Sequence, residues 1–201
     1  MLFLPGARGD RTFWRPAADL LPARYERVFL EWPGHGSVPR DPKVSTFDDL
    51  VALVTHRMDR PVDLIGQSMG GAVALRAALD RPAMVRHIVL SATSGGVDLS
   101  RFGAEEWRPS YRHEYPEAAA SASLLEYRVD LGERIRTITA PTLLLWGDSD
   151  PISPVAVGEY LASLLPRSKL IVVPGGSHMF AEEQAADVAP YIASHLALEI
   201  P

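Results

Sequence analysis

The sequence predicts an α/β fold in which a mostly parallel sheet of about six strands is covered by helices on both faces. Short apolar runs recur along the whole chain, and four of them meet a glycine within about three residues. Runs of this kind are typical of strands that are buried on both faces and then turn sharply. Helical patterns fill the intervals between the runs, and this alternation favours right-handed crossovers between parallel strands.

The elements follow one another in a regular order. The helical patterns lie at 46–58, where Thr46 is a candidate N-cap, at the Ala-rich segment 69–80, around Val157–Leu164, and near the end of the chain, where Val188, Ile192 and Leu196 recur at helical spacing. The six candidate strands are Leu2–Leu4, Val28–Leu30, Val62–Ile65, Ile88–Leu90, Thr142–Trp146 and Leu170–Val173.

One segment, at about 98–138, interrupts this alternation between the fourth and fifth strands. It concentrates aromatic residues among Arg, Glu and Pro, and it contains the helix-prone stretch Pro116–Tyr127. An insertion at a single point of a regular α/β pattern is typical of a lid over the sheet edge. We therefore expect one domain, residues 1–201, with a short helical lid.

Composition excludes several classes of protein. The net charge of −5 argues against a broad basic face for nucleic acid. The absence of cysteine excludes disulfides, thiolate metal sites and a cysteine nucleophile. No apolar run is long enough to span a bilayer, and the first residues do not resemble a signal peptide. These observations predict a cytoplasmic protein.

The candidate nucleophile is Ser68. An apolar strand leads into Gly66-Gln67-Ser68-Met69-Gly70, and an Ala-rich helix follows. A serine on such a strained strand-to-helix turn needs small residues two positions to either side, because neighbouring backbone comes close. The helix N-terminus then places partial positive charge beside a developing oxyanion. The alternative is a glycine-rich turn in which the serine only caps the helix.

Candidate partners for this serine follow the fifth and sixth strands. Asp148 and Asp150 come directly after the fifth strand, and His178 follows the sixth. The carboxyl ends of parallel strands lie at one sheet edge, so Ser68, Asp150 and His178 can converge although 82 and 28 positions separate them. A serine hydroxyl needs a histidine base, which a carboxylate orients.

The order Ser, Asp, His, each after a strand, resembles the α/β-hydrolase superfamily, and in particular its small lid-bearing esterases and C–C hydrolases. The resemblance covers about residues 2–197. It implies that the acid is Asp150, in a Gly-x-x-Asp pattern, with Asp148 as the alternative. It also implies a final helix of about 182–197 after His178. Relative to the family sheet, the two opening antiparallel strands are absent from this sequence.

The resemblance implies an oxyanion hole made of two backbone N–H groups. One belongs to Met69, directly after the nucleophile, and by position the other belongs to Ala7. Pro5 stands where the family has a histidine, so the usual side-chain support of this loop is missing. We also expect aromatic residues of the lid to wall an apolar acyl pocket; the candidates are Trp107, Tyr111, Tyr115 and Tyr127.

These observations predict a serine hydrolase of the carboxylesterase type, acting on a small-molecule acyl substrate. We expect no cofactor, no metal ion, no nucleic-acid partner and no membrane span. The short lid leaves homodimerisation open as a way to complete the pocket. The alternatives are use of the same triad for C–C bond hydrolysis, a lyase step or perhydrolysis, and a non-catalytic binding or scaffold member of the fold.

Overall fold

The computed structural model describes residues 1–36, 38–116 and 129–198. Its sheet has six strands, all paired in parallel, in the order β2-β1-β3-β4-β5-β6. This arrangement confirms the predicted fold class, and each predicted strand is present within a few residues of its expected ends. The strands are β1 (Leu2–Leu4), β2 (Val28–Phe29), β3 (Val62–Gln67), β4 (Val85–Ser91), β5 (Thr142–Gly147) and β6 (Ser168–Val173).

Seven α-helices lie in the described part of the chain, with 3₁₀ turns at Pro82–Met84, Leu99–Phe102 and Gly132–Thr137. Two short helices were not predicted from the sequence, and the predicted final helix is split in two at Gln184. The helices are α1 (Arg15–Asp19), α2 (Phe47–Thr55), α3 (Met69–Asp80), α4 (Arg108–Glu114), α5 (Val155–Leu164), α6 (Phe180–Glu183) and α7 (Ala185–Leu196).

Side chains alternate between the two faces along each strand, so both faces of the sheet carry apolar residues. Helices cover these residues on both faces. In β5, for example, Leu144 and Trp146 pack with α2, α3 and α5, whereas Leu143 and Leu145 pack with α1, α6 and α7. Both clusters are fully apolar and buried. The sheet is therefore packed on both faces, and the loops described below lie at its carboxyl edge.

Helix α2 begins where the sequence predicts. The side chain of Thr46 accepts a hydrogen bond from the backbone N–H of Asp49 at 3.2 Å, and the Asp49 carboxylate accepts one from the Thr46 N–H at 2.8 Å. This reciprocal pair satisfies two of the backbone donors that a helix leaves open at its start. The predicted N-cap is thereby confirmed.

A buried polar cluster lies at the amino half of the sheet, away from the carboxyl edge. The Asp63 carboxylate is hydrogen-bonded to His87 Nδ1 at 2.9 Å and also pairs with Arg86. The His87 ring meets the ring of His195, from α7, edge-on at 5.5 Å. Another ring nitrogen, His195 Nε2, lies 3.2 Å from the carbonyl oxygen of Pro141. The cluster thus joins the last helix to the sheet.

The segment that interrupts the alternation leaves the sheet after β4. Its described part contains the turn Leu99–Phe102, helix α4 and the turn Gly132–Thr137; the helix-prone stretch at 116–127 lies almost wholly outside the described residues. The backbone N–H of Leu131 donates to the carbonyl of Gly96 at 2.8 Å, so the stretch between these two residues begins and ends at one point. Among the described helices, none has the length and apolar character needed to cross a membrane.

Candidate active site

Ser68 lies between β3 and α3 in a conformation that is rare for a residue with a side chain, with φ 51° and ψ −120°. Two glycines make this turn possible. A Cβ atom at Gly66 would lie 2.6 Å from the carbonyl oxygen of Gly70, and one at Gly70 would lie 2.5 Å from the carbonyl oxygens of Leu4 and Pro5. Strained backbone of this kind is concentrated at functional sites. The geometry agrees with the strand–turn–helix context that the sequence indicates for a nucleophile.

His178 and Asp150 are in direct contact across the ends of β5 and β6. The ring nitrogen Nδ1 of His178 lies 2.8 Å from Asp150 Oδ2, and the Asp150 side chain is fully buried. Its other oxygen accepts the backbone N–H groups of Ile152, at 2.8 Å, and Ser153, at 3.1 Å. Hydrogen bonds from backbone donors stabilise the charged carboxylate. The carboxylate can therefore hold the imidazole in one orientation.

Asp148, the other candidate acid, has a different environment. It is exposed, and its Oδ1 accepts the backbone N–H of Gly175 at 2.7 Å and the hydroxyl of Ser149 at 3.0 Å. The bond from Gly175 joins the loop after β5 to the loop after β6. Of the two carboxylates, the structure brings Asp150 to His178.

A cavity of about 630 Å³ lies over the carboxyl edge of the sheet, and Ser68 and His178 both line it. Aromatic rings of the lid form part of its wall: Tyr111 lies 5.6 Å from Trp107 and 5.1 Å from Tyr115, measured between ring centroids. The fourth aromatic candidate, Tyr127, lies outside the described residues.

The loop after β1 lies directly beside the nucleophile, and Ala7 lines the same cavity. A Cβ atom at Gly6 would lie 3.1 Å from the Cβ of Ser68, so the two backbones are close. Met69 is the first residue of α3, where backbone N–H groups have no acceptor within the helix. The residues of the two expected oxyanion donors therefore both lie close to Ser68.

Two tryptophans support this loop. The indole N–H of Trp14 donates to the carbonyl of Leu4 at 3.0 Å, and that of Trp32 donates to the carbonyl of Pro5 at 2.7 Å. Both rings are almost completely buried. Pro5 stands where the family has a histidine, so that side chain is missing here. The two indoles instead hold the consecutive carbonyls of Leu4 and Pro5.

Carboxylates are abundant around the cavity. Among its described lining residues, Arg8 is the only Lys or Arg, and five residues are acidic: Asp10, Glu105, Glu106, Glu114 and Glu182. Two of these have cationic partners, because Glu114 lies 3.8 Å from Arg8 and Glu106 lies 2.8 Å from Arg108. Burial raises the pKa of Glu182, although Arg8 opposes this shift. The lining is therefore negative.

Sequence reasoning missed a contact made by Gln67, the residue before the candidate nucleophile. Its side chain is buried, and its amide nitrogen donates to the backbone carbonyl of His178 at 3.3 Å. A Cβ atom at Gly6 would lie only 2.1 Å from Gln67 Oε1. The amide therefore lies between the β1 loop and the His178 loop. In the pattern Gly-x-Ser-x-Gly this position is unspecified, so no signal in the sequence identifies it.

With the parallel sheet, the strained serine and the Asp–His contact established, comparison with known proteins defines the class. The chain belongs to the alpha/beta hydrolase family, whose sequence profile matches residues 1–191. This confirms the resemblance inferred from the motifs. Within the described residues, no group of three or more His, Asp or Glu side chains is arranged to hold a metal ion.

Among curated relatives, the chain is 27% identical to the pimeloyl-[acyl-carrier protein] methyl ester esterase of Neisseria meningitidis serogroup B, over 86% of this chain and 83% of that protein. It is 25% identical to the uncharacterized hydrolase YugF of Bacillus subtilis, over 91% of this chain and 84% of the relative. Relatives named as esterases and hydrolases support a hydrolase here.

Solved structures give the same fold. A thermophilic esterase from Thermogutta terrifontis matches with a TM-score of 0.78 and 26% identity, covering 97% of this chain and 88% of that one. A meta-cleavage product hydrolase from Pseudomonas fluorescens IP01 matches with the same TM-score at 18% identity, covering 97% of this chain and 89% of that one. The second likeness concerns the fold alone.

Proposed function

We propose that this protein is a serine hydrolase of carboxylic esters, with Ser68 as nucleophile, His178 as general base and Asp150 as the residue that orients the histidine. The observation that supports this most is the 2.8 Å contact between His178 Nδ1 and Asp150, at a cavity that the strained Ser68 also lines. The esterase relatives favour ester hydrolysis over other uses of the same residues.

In the proposed reaction, Ser68 Oγ attacks the ester carbonyl carbon while His178 Nε2 takes the hydroxyl proton. The N–H groups of Met69 and Ala7 stabilise the negative oxygen of the tetrahedral intermediate. The intermediate expels the alcohol, which receives the proton from His178, and leaves an acyl group on Ser68. Water, deprotonated by His178, then attacks this acyl-enzyme and releases the carboxylic acid. Asp150 stays ionised and stabilises the imidazolium.

The cavity supports a substrate of modest size. Its volume of about 630 Å³ and its wall of lid aromatics suit a short or medium apolar acyl group. Its acidic lining favours a neutral ester over one that bears a carboxylate.

The test uses a fluorophosphonate probe and p-nitrophenyl esters. The probe should label Ser68 in the wild-type protein, and Ser68→Ala should abolish labelling and lower kcat by roughly 10⁴–10⁶-fold without unfolding the protein. Ser163→Ala is the control, because this serine lies on α5 and its hydroxyl bonds to the Tyr160 carbonyl at 2.6 Å. Absence of labelling, or retention of more than about a tenth of the activity in Ser68→Ala, would reject the proposal and favour a non-catalytic protein.

A further inference from the structure

Tyr111, on lid helix α4, makes two hydrogen bonds to loops of the main body. Its hydroxyl donates to the carbonyl of Ala7 at 2.8 Å and accepts the backbone N–H of Gly36 at 2.9 Å. The residue is 6% exposed, and burial raises the pKa of its phenol, so the hydroxyl stays protonated. A phenol has a single proton to donate. The hydroxyl proton of Tyr111 is therefore used in the hydrogen bond to the carbonyl oxygen of Ala7.

The Ala7 carbonyl is adjacent to the N–H group that is proposed to stabilise the oxyanion. The two peptide units that flank the Ala7 Cα atom are each held by a hydrogen bond. The unit that contains the Ala7 N–H is held through the Gly6 carbonyl, which accepts the Gly9 N–H at 3.0 Å, and the unit that contains the Ala7 carbonyl is held by Tyr111. Without the second bond only one of these two units would be held, and the Ala7 N–H would be less firmly fixed.

The other partner of Tyr111 lies against the same loop. Gly36 has a positive φ of 50°, and a Cβ atom there would lie 2.2 Å from the carbonyl oxygen of Arg8. The turn that contains Gly36 is therefore packed directly onto the residue after Ala7. The Tyr111 hydroxyl bridges the two at their point of contact.

Tyr111 differs from the other side chains that hold this loop. Trp14 and Trp32 bond the carbonyls of Leu4 and Pro5, and their rings belong to the apolar clusters on the two faces of the sheet. Tyr111 belongs to the inserted segment. Its bond to Ala7 therefore links the position of the lid helix to the backbone beside Ser68.

We propose that Tyr111 is a positioning residue for the oxyanion hole: through its hydroxyl, lid helix α4 sets the orientation of the Ala7 N–H. This rests on the proposed function. The lid then affects the rate of the chemical step as well as the choice of substrate. The ring of Tyr111 still lines the cavity, so its two roles are separable by removing the hydroxyl alone.

The test is Tyr111→Phe, which keeps the ring and deletes the hydroxyl. Complete loss of one oxyanion donor lowers kcat by about 10²–10³-fold, and misalignment of a donor that is still present should lower it by about 10- to 100-fold. KM should change by less than about threefold, because the acyl pocket is unchanged. The affinity for a trifluoromethyl ketone, whose serine adduct bears an oxyanion, should fall by the same factor as kcat/KM. The affinity for the product alcohol should not fall.

Tyr160→Phe is the matched control. Tyr160 lies on α5, and its ring packs against Phe102 of the inserted segment, with 5.4 Å between ring centroids. It does not belong to the described lining of the cavity. It should change neither kcat nor the trifluoromethyl ketone affinity. Urea unfolding of both variants corrects for any common loss of stability.

A Tyr111→Phe effect confined to KM would overturn the inference, and so would an unchanged trifluoromethyl ketone affinity. An equal loss in Tyr160→Phe would overturn it as well, because the effect would then be a general disturbance of the lid. Failure of this inference leaves fluorophosphonate labelling of wild-type Ser68 intact, whereas failure of the proposed function removes it.

Discussion

Asp148 and Asp150 are separated by one residue, but they have different hydrogen-bond partners and therefore different expected roles. We expect Asp150→Asn to lower kcat by about 10⁴-fold, because an amide in this place favours the wrong tautomer of His178. Asp148→Asn should lower it far less, since its carboxylate bonds to Gly175 and Ser149 and not to the histidine. Steady-state hydrolysis of a p-nitrophenyl ester measures both.

The pair is its own control, because each variant exchanges one carboxylate oxygen for an amide group in the same loop. If Asp148→Asn had the larger effect on kcat, the acid would be Asp148. Labelling of Ser68 would still test the nucleophile independently.

At the level of single residues, the sequence indicated Ser68 and His178 as candidates from their positions after strands. The family resemblance favoured Asp150 over Asp148, and the structure brings Asp150 to His178. The sequence indicated Tyr111 only as an aromatic wall. The partners of the Tyr111 hydroxyl are 104 and 75 positions away, and no local spacing predicts such a contact.

The close packing around the turn between β3 and α3 predicts the effect of adding a side chain at Gly70. A Cβ at Gly70 would lie 2.5 Å from two carbonyl oxygens of the β1 strand and loop. Gly70→Ala should therefore displace that loop from the nucleophile, lowering the free energy of unfolding by about 2–3 kcal/mol and kcat by more than about tenfold. Urea unfolding and ester hydrolysis measure the two effects.

Gly103→Ala is the control for this effect. Gly103 has a positive φ of 69°, but no atom lies within 4 Å of a Cβ placed there. Gly103→Ala should lower the free energy of unfolding by about 1 kcal/mol, from backbone strain alone, and should leave kcat unchanged. Equal effects of the two substitutions on kcat would show that crowding at Gly70 is unimportant.

Helix α7 should be sensitive to acid. Burial lowers the pKa of His195 to about 4, and the neighbouring His87 contributes to this shift. Between about pH 6.5 and pH 4 the unfolded chain binds a proton that the folded protein excludes. The folded state therefore loses stability as the pH falls through this range, by up to about 3 kcal/mol. Urea unfolding at several pH values measures the slope.

His195→Gln should flatten that slope, because glutamine can still donate to the Pro141 carbonyl and does not titrate. His56→Gln, at an exposed position on the C-terminal side of α2, should keep the slope. An unchanged slope in His195→Gln would contradict the assignment of this effect to His195.

Asp63 adds a separate effect at lower pH. Burial alone would raise the pKa of its carboxyl, but hydrogen bonds from His87 and Arg86 outweigh burial and lower it. The stabilisation from the ionised Asp63 is present above about pH 3.8 and is lost below it.

The elements themselves were predictable where a pattern extends over enough residues. The six strands, α2, α3 and α5 all follow from apolar runs or helical spacing. Helices α1 and α4 have 5 and 7 residues, too few for a periodic pattern to stand out. The last helix is split at Gln184, whose φ of −114° and ψ of 39° are not helical. A period of apolar residues does not show such a local break.

For the molecule as a whole, the charge around the cavity makes a prediction about substrates. Methyl hexanoate should have a kcat/KM more than about tenfold above that of monomethyl adipate, which places a carboxylate at the far end of a similar chain. The gap should narrow at high ionic strength, because salt screens repulsion from the lining. Proton release in weak buffer measures both rates.

Glu182→Gln should reduce the difference in kcat/KM between the two esters, because Glu182 lines the cavity. Glu159→Gln, on the exposed side of α5, should leave that difference unchanged. Equal rates for the two esters at low salt would contradict the role of the acidic lining. Its carboxylates come from three separated segments of the chain. The sequence therefore predicted the meeting of Asp150 and His178 from the parallel topology, but not the charge of the space above them.

The hydrogen bond between Leu131 and Gly96 holds together the two ends of most of the inserted segment, the stretch between these residues, and this has a consequence for protein engineering. A segment whose two ends meet can be replaced by one of another length with little disturbance of the strands on either side. A graft chosen only for the shape of its acyl pocket would nevertheless remove the Tyr111 hydroxyl. Transplanted lids should therefore exchange specificity at the expense of turnover, unless the donor segment brings its own hydroxyl to the carbonyl of Ala7.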